Sequence, residues 1–574
     1  MTLALSRPRP AIASRQAAAL AAILVLIAVG GLRIAATWPV FSHTTDETYH
    51  VSRAMVWHET GAYPFPHHPP LAPIAIGLGP RLAGIEAPDL PPDTPDLKRA
   101  IGNATLYDAG AGDYHRRLSL ARAGTLVFYL VVCATVAAWG WRRIGPTAAV
   151  VATGLVSSLP PVLAHAGLAT TDAAAMATIP LALLAFLDWL ERPGAGRTAW
   201  LGIAGGLALA AKYSALVFLP VAGLAILAVR AVALGGLPVA PRRLAALPAA
   251  LALALGVVWA TYGFSVTPIA PPASADPRAW LADGPVVSPD AWLPVPGWSY
   301  WRGIKDVAAQ NRAGHAPYFL GETGDDEGDW RFFPVMLAVK LPLGFLGLVA
   351  IGAGVAVARV RRSRDRSVAM PLAAAGAIVL AVLPSDINIG LRHILPVLPL
   401  LALVAGAGAA ALIGARHARP AAIGLAVVLL AAHAVEGARA HPDYLAHFNA
   451  LAGGQPEAIT VDSDLDWGQD LDRLSSALEA RGVDRVNLGY TGTADPARHG
   501  LPPITPLDST RPPAGWVAVS LHRLMTDPDL AWLRAMEPVA TVGRSIRLYH
   551  LDPGPEAGPG DESPVRLGAA APAG

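Results

Sequence analysis

Two short motifs set threonines before an acid: Thr44-Thr45-Asp46-Glu47 and Thr170-Thr171-Asp172. A positioned carboxylate can take a proton from a hydroxyl as that hydroxyl attacks. Asp46, Glu47 and Asp172 are therefore the candidate catalytic groups. The same residues also suit a helix start, because short oxygen-bearing side chains cap free N–H groups and acids favour a helix N-terminus. Cations are scarcer. Lys212 lies in LAAKYSAL, Lys340 in FFPVMLAVKLPLG and Arg392 in NIGLRHILP, while His67 and His68 precede Pro69-Pro70. Grouped at one level, these would form an anion site suited to a lipid phosphate. Taken singly, each also suits snorkelling or packing. Lys340 stands apart, since it falls about seven residues into an apolar run, roughly 10 Å deep at about 1.5 Å per residue.

A further acidic group lies in VDSDLDWGQDLD. Asp462, Asp464 and Asp466 have the alternate spacing of a calcium loop, but Trp467 stands where that loop needs glycine and Arg473 where it needs glutamate. HExxH, Walker and dinucleotide-binding patterns are lacking in any fitting context, so the motifs point to no metal centre and no nucleotide cofactor. The single cysteine, Cys133, excludes intramolecular disulfides and cysteine-based zinc sites.

The elements that must position these groups are membrane helices. Of 574 residues, 53% are hydrophobic and 15% charged. Mean hydropathy is +0.43. A spanning helix needs about 20 apolar residues. Such segments lie near 17–36, 118–141, 146–166, 173–190, 198–211, 215–231, 244–264, 333–358, 368–383, 394–414 and 421–435. The pattern predicts an α-helical multi-pass membrane bundle of about eleven spans over residues 1–438. Arg33 near its outer end makes the first segment a retained span instead of a cleaved leader.

Charge orients the bundle. With the N-terminus in the cytoplasm, alternate loops carry Arg142-Arg143, Arg192–Arg197, Arg230–Arg243, Arg359–Arg366 and Arg416–Arg419. The short loops on the other face are nearly free of Lys and Arg, which is the positive-inside pattern. Two long loops, 37–117 and 265–332, then lie outside, with Asp46 opening a short amphipathic helix at the membrane surface. Residues 439–553 follow as a small extracytoplasmic α/β domain, in the order strand (AITVDSD), helix, strand, strand, helix, hairpin. Residues 554–574 are rich in Gly, Pro and Ala and are expected to be disordered. Basic residues are dispersed over loops, which excludes a nucleic-acid stripe.

These motifs, in this order, resemble the GT-C superfamily, and more closely the bacterial family-39-type, phospholipid-carrier-dependent glycosyltransferases related to protein O-mannosyltransferases and aminoarabinose transferases. The resemblance rests on TTDE, HHPPLAP, HAGLATTDAAA, AAKYSAL, YFLGETGDDEGDWRFFPVMLAVKLPL, NIGLRHILP and FNALAGG…DSDLDWGQDL. It runs from about Phe41 to Tyr549. It implies a bacterial inner-membrane enzyme that moves a hexose or pentose from a polyprenyl-phosphate-linked donor to a protein, lipid or glycan acceptor. Asp46 would be the base, and Asp172 would support it or help hold a divalent cation or the acceptor. His68, where relatives often carry Lys, would touch the donor phosphate, as would Arg392. Asp464, Asp466 and Trp467 match a signature of unstated role, for the acceptor or for structure.

The residues suggest the same chemistry. A carboxylate near Asp46 deprotonates an acceptor hydroxyl, attack at the sugar C1 from the face opposite phosphate inverts it, and Arg392, Lys212 or Lys340 meets the charge on the leaving group. A transporter or flippase of an anionic lipid or solute could use the same cations, but needs polar groups through the inner half of the bundle, where Ala, Leu, Val and Gly prevail. A scaffold with a binding tail is a third reading.

Overall fold

The computed structural model describes residues 10–552 except 62, 64, 66, 92–93, 108–110, 235–243, 269–293, 316, 325–326 and 416–418. The tail expected to be disordered lies outside the described residues, as does much of the second long loop. The chain opens with α1 (Pro10–Ala35), α2 (Thr45–Thr60), α3 (Leu71–Leu82), α4 (Leu97–Tyr107), α5 (Ala111–Ala123) and α6 (Leu126–Arg143). It continues with α7 (Pro146–Ser158), α8 (Pro160–Ala166), α9 (Asp172–Glu191), α10 (Ala195–Ala211) and α11 (Ala215–Leu234).

The chain is a multi-pass membrane protein. Among the described residues six helices are long and apolar enough to cross a bilayer, seven if the bent pair α7–α8 counts as one span. The sequence led us to expect about eleven. All eleven predicted segments are largely helical, but breaks and short lengths reduce the number that can cross alone. Pro160 and Pro161 open α8 after a bend of 61°, where their rings cannot continue the hydrogen bonds of α7. The predicted eighth span divides at Leu341-Pro342 into Phe332–Lys340 and Leu343–Ser363. The helices Leu247–Thr261, Ala369–Val382 and Val397–Ile413 are apolar but shorter.

Small residues let these helices approach closely. A side chain at Gly202 or Gly206 of α10 would stand 2.6 Å from a carbonyl of Ala250 or Ala254 in the helix Leu247–Thr261. Gly352 in Leu343–Ser363 faces the Val404 carbonyl in the same way. At the centre, α9 and Val397–Ile413 are buried along most of their length.

Helix α2 is not a surface helix, contrary to expectation. Residues Glu47, Thr48 and His50 to Val56 are all buried. Its polar residues face the protein and hold its charges in place.

Two short ribbons, β1–β2 (Val266–Pro268, Pro294–Pro296) and β3–β4 (Tyr318–Phe319, Glu322–Thr323), precede the C-terminal sheet. That sheet is built from β5 (Val486–Gly489), β6 (Ile504–Pro506), β7 (Gly515–Ser520), β8 (Ala540–Val542) and β9 (Ile546–Leu551). Its order is β6-β5-β7-β9-β8, with β5 parallel to both neighbours and β9 antiparallel to both. Helix Leu471–Glu479 contributes Leu471, Leu474 and Leu478 to the core beneath it. The predicted first strand, AITVDSD, is instead a short 3-10 turn at Pro456–Ala458 followed by turns. Acids in and just after it bond backbone N–H groups, which competes with a strand ladder: Asp464 Oδ2 accepts from Leu391 at 2.9 Å and Asp466 Oδ1 from Gly468 at 3.2 Å.

Candidate active site

The site lies where three helix starts meet the turn segment 459–470. At the first, Thr44 precedes α2, and its N–H donates to Glu47 Oε2 at 2.8 Å. Glu47 is wholly buried. Its Oε1 accepts from Arg122 Nε at 2.8 Å and from the Ala169 N–H at 2.9 Å, and its Oε2 takes Arg122 Nη2 at 2.8 Å. Arg122 in turn donates to the carbonyls of Trp38, Phe41 and Ser42. Burial alone would raise the Glu47 pKa, but Arg122 and these donors outweigh it and hold the carboxylate below its ordinary value. Every lone pair of Glu47 is engaged and none of its surface is exposed, a placement that suits a structural clamp instead of the catalytic role expected. The pair pins the start of α2 to the turn before α9.

That clamp leaves the adjacent Asp46 with 28% of its side chain exposed. Arg392, in the 3-10 turn Leu391–Ile394, donates through Nη1 to Asp46 Oδ2 at 2.5 Å. The same nitrogen stands 4.0 Å from Asp172 Oδ2. Asp172, buried at the first position of α9, accepts from Lys212 Nζ at 2.7 Å. Thr170 Oγ1 and His165 Nδ1 approach its other oxygen at 3.3 and 3.9 Å. Charges thus alternate along one line: Lys212, Asp172, Arg392, Asp46. Burial alone would lower the Arg392 pKa, but Asp46 and Asp172 reverse this and keep the guanidinium charged.

Trp467 closes the line. The Arg392 guanidinium lies over its ring, 4.6 Å from the centroid. Its carbonyl accepts from the Thr45 N–H at 3.0 Å and from the Thr45 hydroxyl at 3.3 Å. Ser42 N–H donates to the Gln469 carbonyl at 3.1 Å, one more bond between the two segments. The WGQ turn is therefore bonded to the residues that present Asp46.

Lys340 is elsewhere. It ends Phe332–Lys340 where the helix is interrupted, and its Nζ donates to the carbonyls of Leu445 and Asp464 at 2.6 and 2.7 Å, above the Phe448 ring. Two of its three N–H groups go to backbone carbonyls and Asp464 Oδ1 stands 3.9 Å away, a placement unlike the phosphate contact expected of it. Asp464 and Asp466 are buried and take backbone N–H groups of Leu391 and His522 at 2.9 and 2.8 Å, so their place is structural.

His67 is exposed and His68 half-buried beyond α2. The His68 ring meets that of His50 edge-on at 5.1 Å. Burial, then Arg53, push His68 well below the ordinary imidazole value. Its charged form is disfavoured, whereas relatives often carry Lys at this position. Among the described residues no three His, Cys, Asp or Glu side chains are grouped to hold a metal ion. Asp46 and Asp172 already face Arg392 and Lys212.

Sequence reasoning missed Arg122, His165, His50 and Arg53. His50 and Arg53 could have been found, because they recur four and seven residues after Asp46 on one face of α2. Arg122 gave no such signal.

The fold and this cluster together define a polytopic membrane protein with an acid–cation site at the junction of its helices and a small α/β unit. Residues 39–240 match the family model described as dolichyl-phosphate-mannose-protein mannosyltransferase. Asp46, Asp172 and Lys212 fall within the match, and Lys340, Arg392 and Trp467 beyond it. No curated protein matches the chain. Among solved structures it is similar to ArnT from Cupriavidus metallidurans bound to undecaprenyl phosphate, at 14% identity and TM-score 0.44 over 92% of this chain and 97% of that one. It is similar also to the S. cerevisiae protein O-mannosyltransferase Pmt1-Pmt2 complex bound to the sugar donor, at 12% identity and TM-score 0.49 over 74% and 90%. The Archaeoglobus fulgidus oligosaccharyltransferase in the apo form matches at 13% identity and TM-score 0.43 over 72% and 54%.

Proposed function

We propose that this protein is a membrane glycosyltransferase of the GT-C type that moves a sugar from a polyprenyl-phosphate-linked donor to an acceptor hydroxyl on the extracytoplasmic face. The observation that carries the reading is Asp46, a part-exposed carboxylate fixed by a buried clamp beside Arg392 and Asp172. The family match over residues 39–240, which contains Asp46 and Asp172, supports it.

In this reading Asp46 is the general base. The acceptor oxygen forms a bond to the sugar C1 as the bond from C1 to the phosphate oxygen breaks. The proton passes to Asp46 and the electron pair leaves with the polyprenyl phosphate. Attack opposite the phosphate inverts C1. Arg392 pairs with Asp46, and Lys212 pairs with Asp172, which orients Arg392 from its other side. In this reading the N-terminus is cytoplasmic and the C-terminal sheet lies in the periplasm of a bacterial inner membrane, which the pattern of basic loops supports.

The test is turnover by the purified full-length chain. Incubated with polyprenyl-phosphate-linked hexoses and pentoses and a membrane extract as acceptor, it releases polyprenyl phosphate and labels an acceptor. Passage of intact donor across sealed vesicles with no bond cleaved would overturn the reading in favour of transport.

A further inference from the structure

The four charges of the candidate site cancel. Asp46 and Asp172 meet Arg392 and Lys212, and Lys340 is bound to carbonyls. None of these cations is left to receive an anion. One buried cation is. Arg53 is 8% exposed, its Nε is buried and unpartnered, and its polar contact is the His50 Nδ1, 3.3 Å from Nη1. Among the described residues it pairs with no carboxylate. A buried, unpaired guanidinium is costly to a fold, and a ligand anion would supply the missing charge.

The surroundings form a seat. Arg53 lies seven residues beyond Asp46, two turns of α2, so the two share a face about 10 Å apart along the axis with His50 between them. Phe65 floors the seat, with the Arg53 guanidinium 6.0 Å and the Lys98 ammonium 5.8 Å from its ring centre. The His50 ring leads to His68 at 5.1 Å. Burial first, and Arg53 next, lower the pKa of His50, His67, His68 and Lys98, so one charge acts on all four.

We propose that Arg53, with Lys98 beside it and His50 and His68 as hydrogen-bonding walls, seats the phosphate of the lipid-linked donor. The seat supplies the charge that burial disfavours on His68. A phosphate at Arg53 and a base at Asp46 would lie on either side of the sugar that joins them along α2. This assignment rests on the transferase reading for the identity of the ligand, though not for the need of an anion.

The test compares wild type with Arg53→Met and Arg53→Lys in the purified full chain. The probes are undecaprenyl phosphate, undecaprenol and inorganic phosphate. Losing a buried charge-assisted bond is expected to weaken undecaprenyl phosphate binding about 10- to 100-fold in Arg53→Met. Undecaprenol binding stays unchanged, and Arg53→Lys recovers part of the loss. Because Arg53 is unpaired in the free protein, Arg53→Met melts at or above the wild-type temperature. Unchanged undecaprenyl phosphate affinity in Arg53→Met overturns the seat and leaves the transferase reading standing. A lower melting temperature with equal loss for both lipids overturns it too, as a structural role. If wild type binds both lipids equally, the donor reading fails. Protection from unfolding by inorganic phosphate that vanishes in Arg53→Met would then still support the anion seat, and its absence would sink it.

Discussion

At the N-terminus of α2 two adjacent acids have different surroundings. Glu47 has no exposed side chain and spends both oxygens on Arg122 and backbone, while Asp46 keeps 28% exposure and one short bond to Arg392. Breaking a buried pair from one side strands its partner and typically costs about 3–5 kcal/mol. Glu47→Gln is therefore expected to lower thermal stability and membrane level, and Arg122→Gln to do the same. A well-folded, fully stable Glu47→Gln protein would show that the clamp is not what holds α2. Arg392 acts on Asp46 by position, so Arg392→Ala should cut turnover while donor affinity changes little. Arg392→Lys should restore only part, since a point charge cannot reproduce a planar fork lying over Trp467. A purely structural role predicts instead equal losses in folding and in rate. The acids were legible in the sequence because Thr-Thr-Asp recurs at two helix starts. Which acid keeps an exposed side chain was not, since capping, pairing and catalysis all use the same residue types.

The turn segment 459–470 is the element that joins helices to sheet. Read as a strand from its apolar start, it is shaped instead by its acids, and that could be seen only once Leu391, Ser42 and Thr45 were brought to it from distant parts of the chain. Lys340 was misread for a related reason: the apolar run around it looked continuous, yet Pro342 breaks it and turns the ammonium toward carbonyls. Burial raises Asp464, Asp466 and Asp470 above the ordinary carboxylate value, Asp466 to about 7. An acid raised on folding keeps its proton where the unfolded chain has lost it. Its contribution to stability is full below the unfolded value, near 4, and is lost as pH climbs through about 7. Thermal unfolding of the full chain should therefore shift to lower temperature between about pH 4 and pH 7, and Asp466→Asn should flatten that slope. A slope unchanged in Asp466→Asn would mean that other groups carry it.

Across the whole molecule, apolar length and basic loops carried most of what could be read. The eleven predicted segments are largely helical, whereas the number able to cross alone was hidden by proline breaks and short helices whose ends depend on packing. Orientation is a prediction at this scale. A periplasm-active reporter fused after Leu551 should be active and one fused near Arg362 inactive; the reverse would move every site residue to the wrong side. The central claim is that Asp46 takes the acceptor's proton, and the most direct measurement is the rate at which purified Asp46→Asn releases polyprenyl phosphate from a lipid-linked sugar. Asn begins a helix about as well as Asp, so this change keeps the fold and removes the base. Loss of a general base typically costs about 10²–10⁴-fold. The expected result is a fall of that size, with donor binding and thermal stability close to wild type. Release at the wild-type rate would contradict the account and shift the search for the base to Asp172.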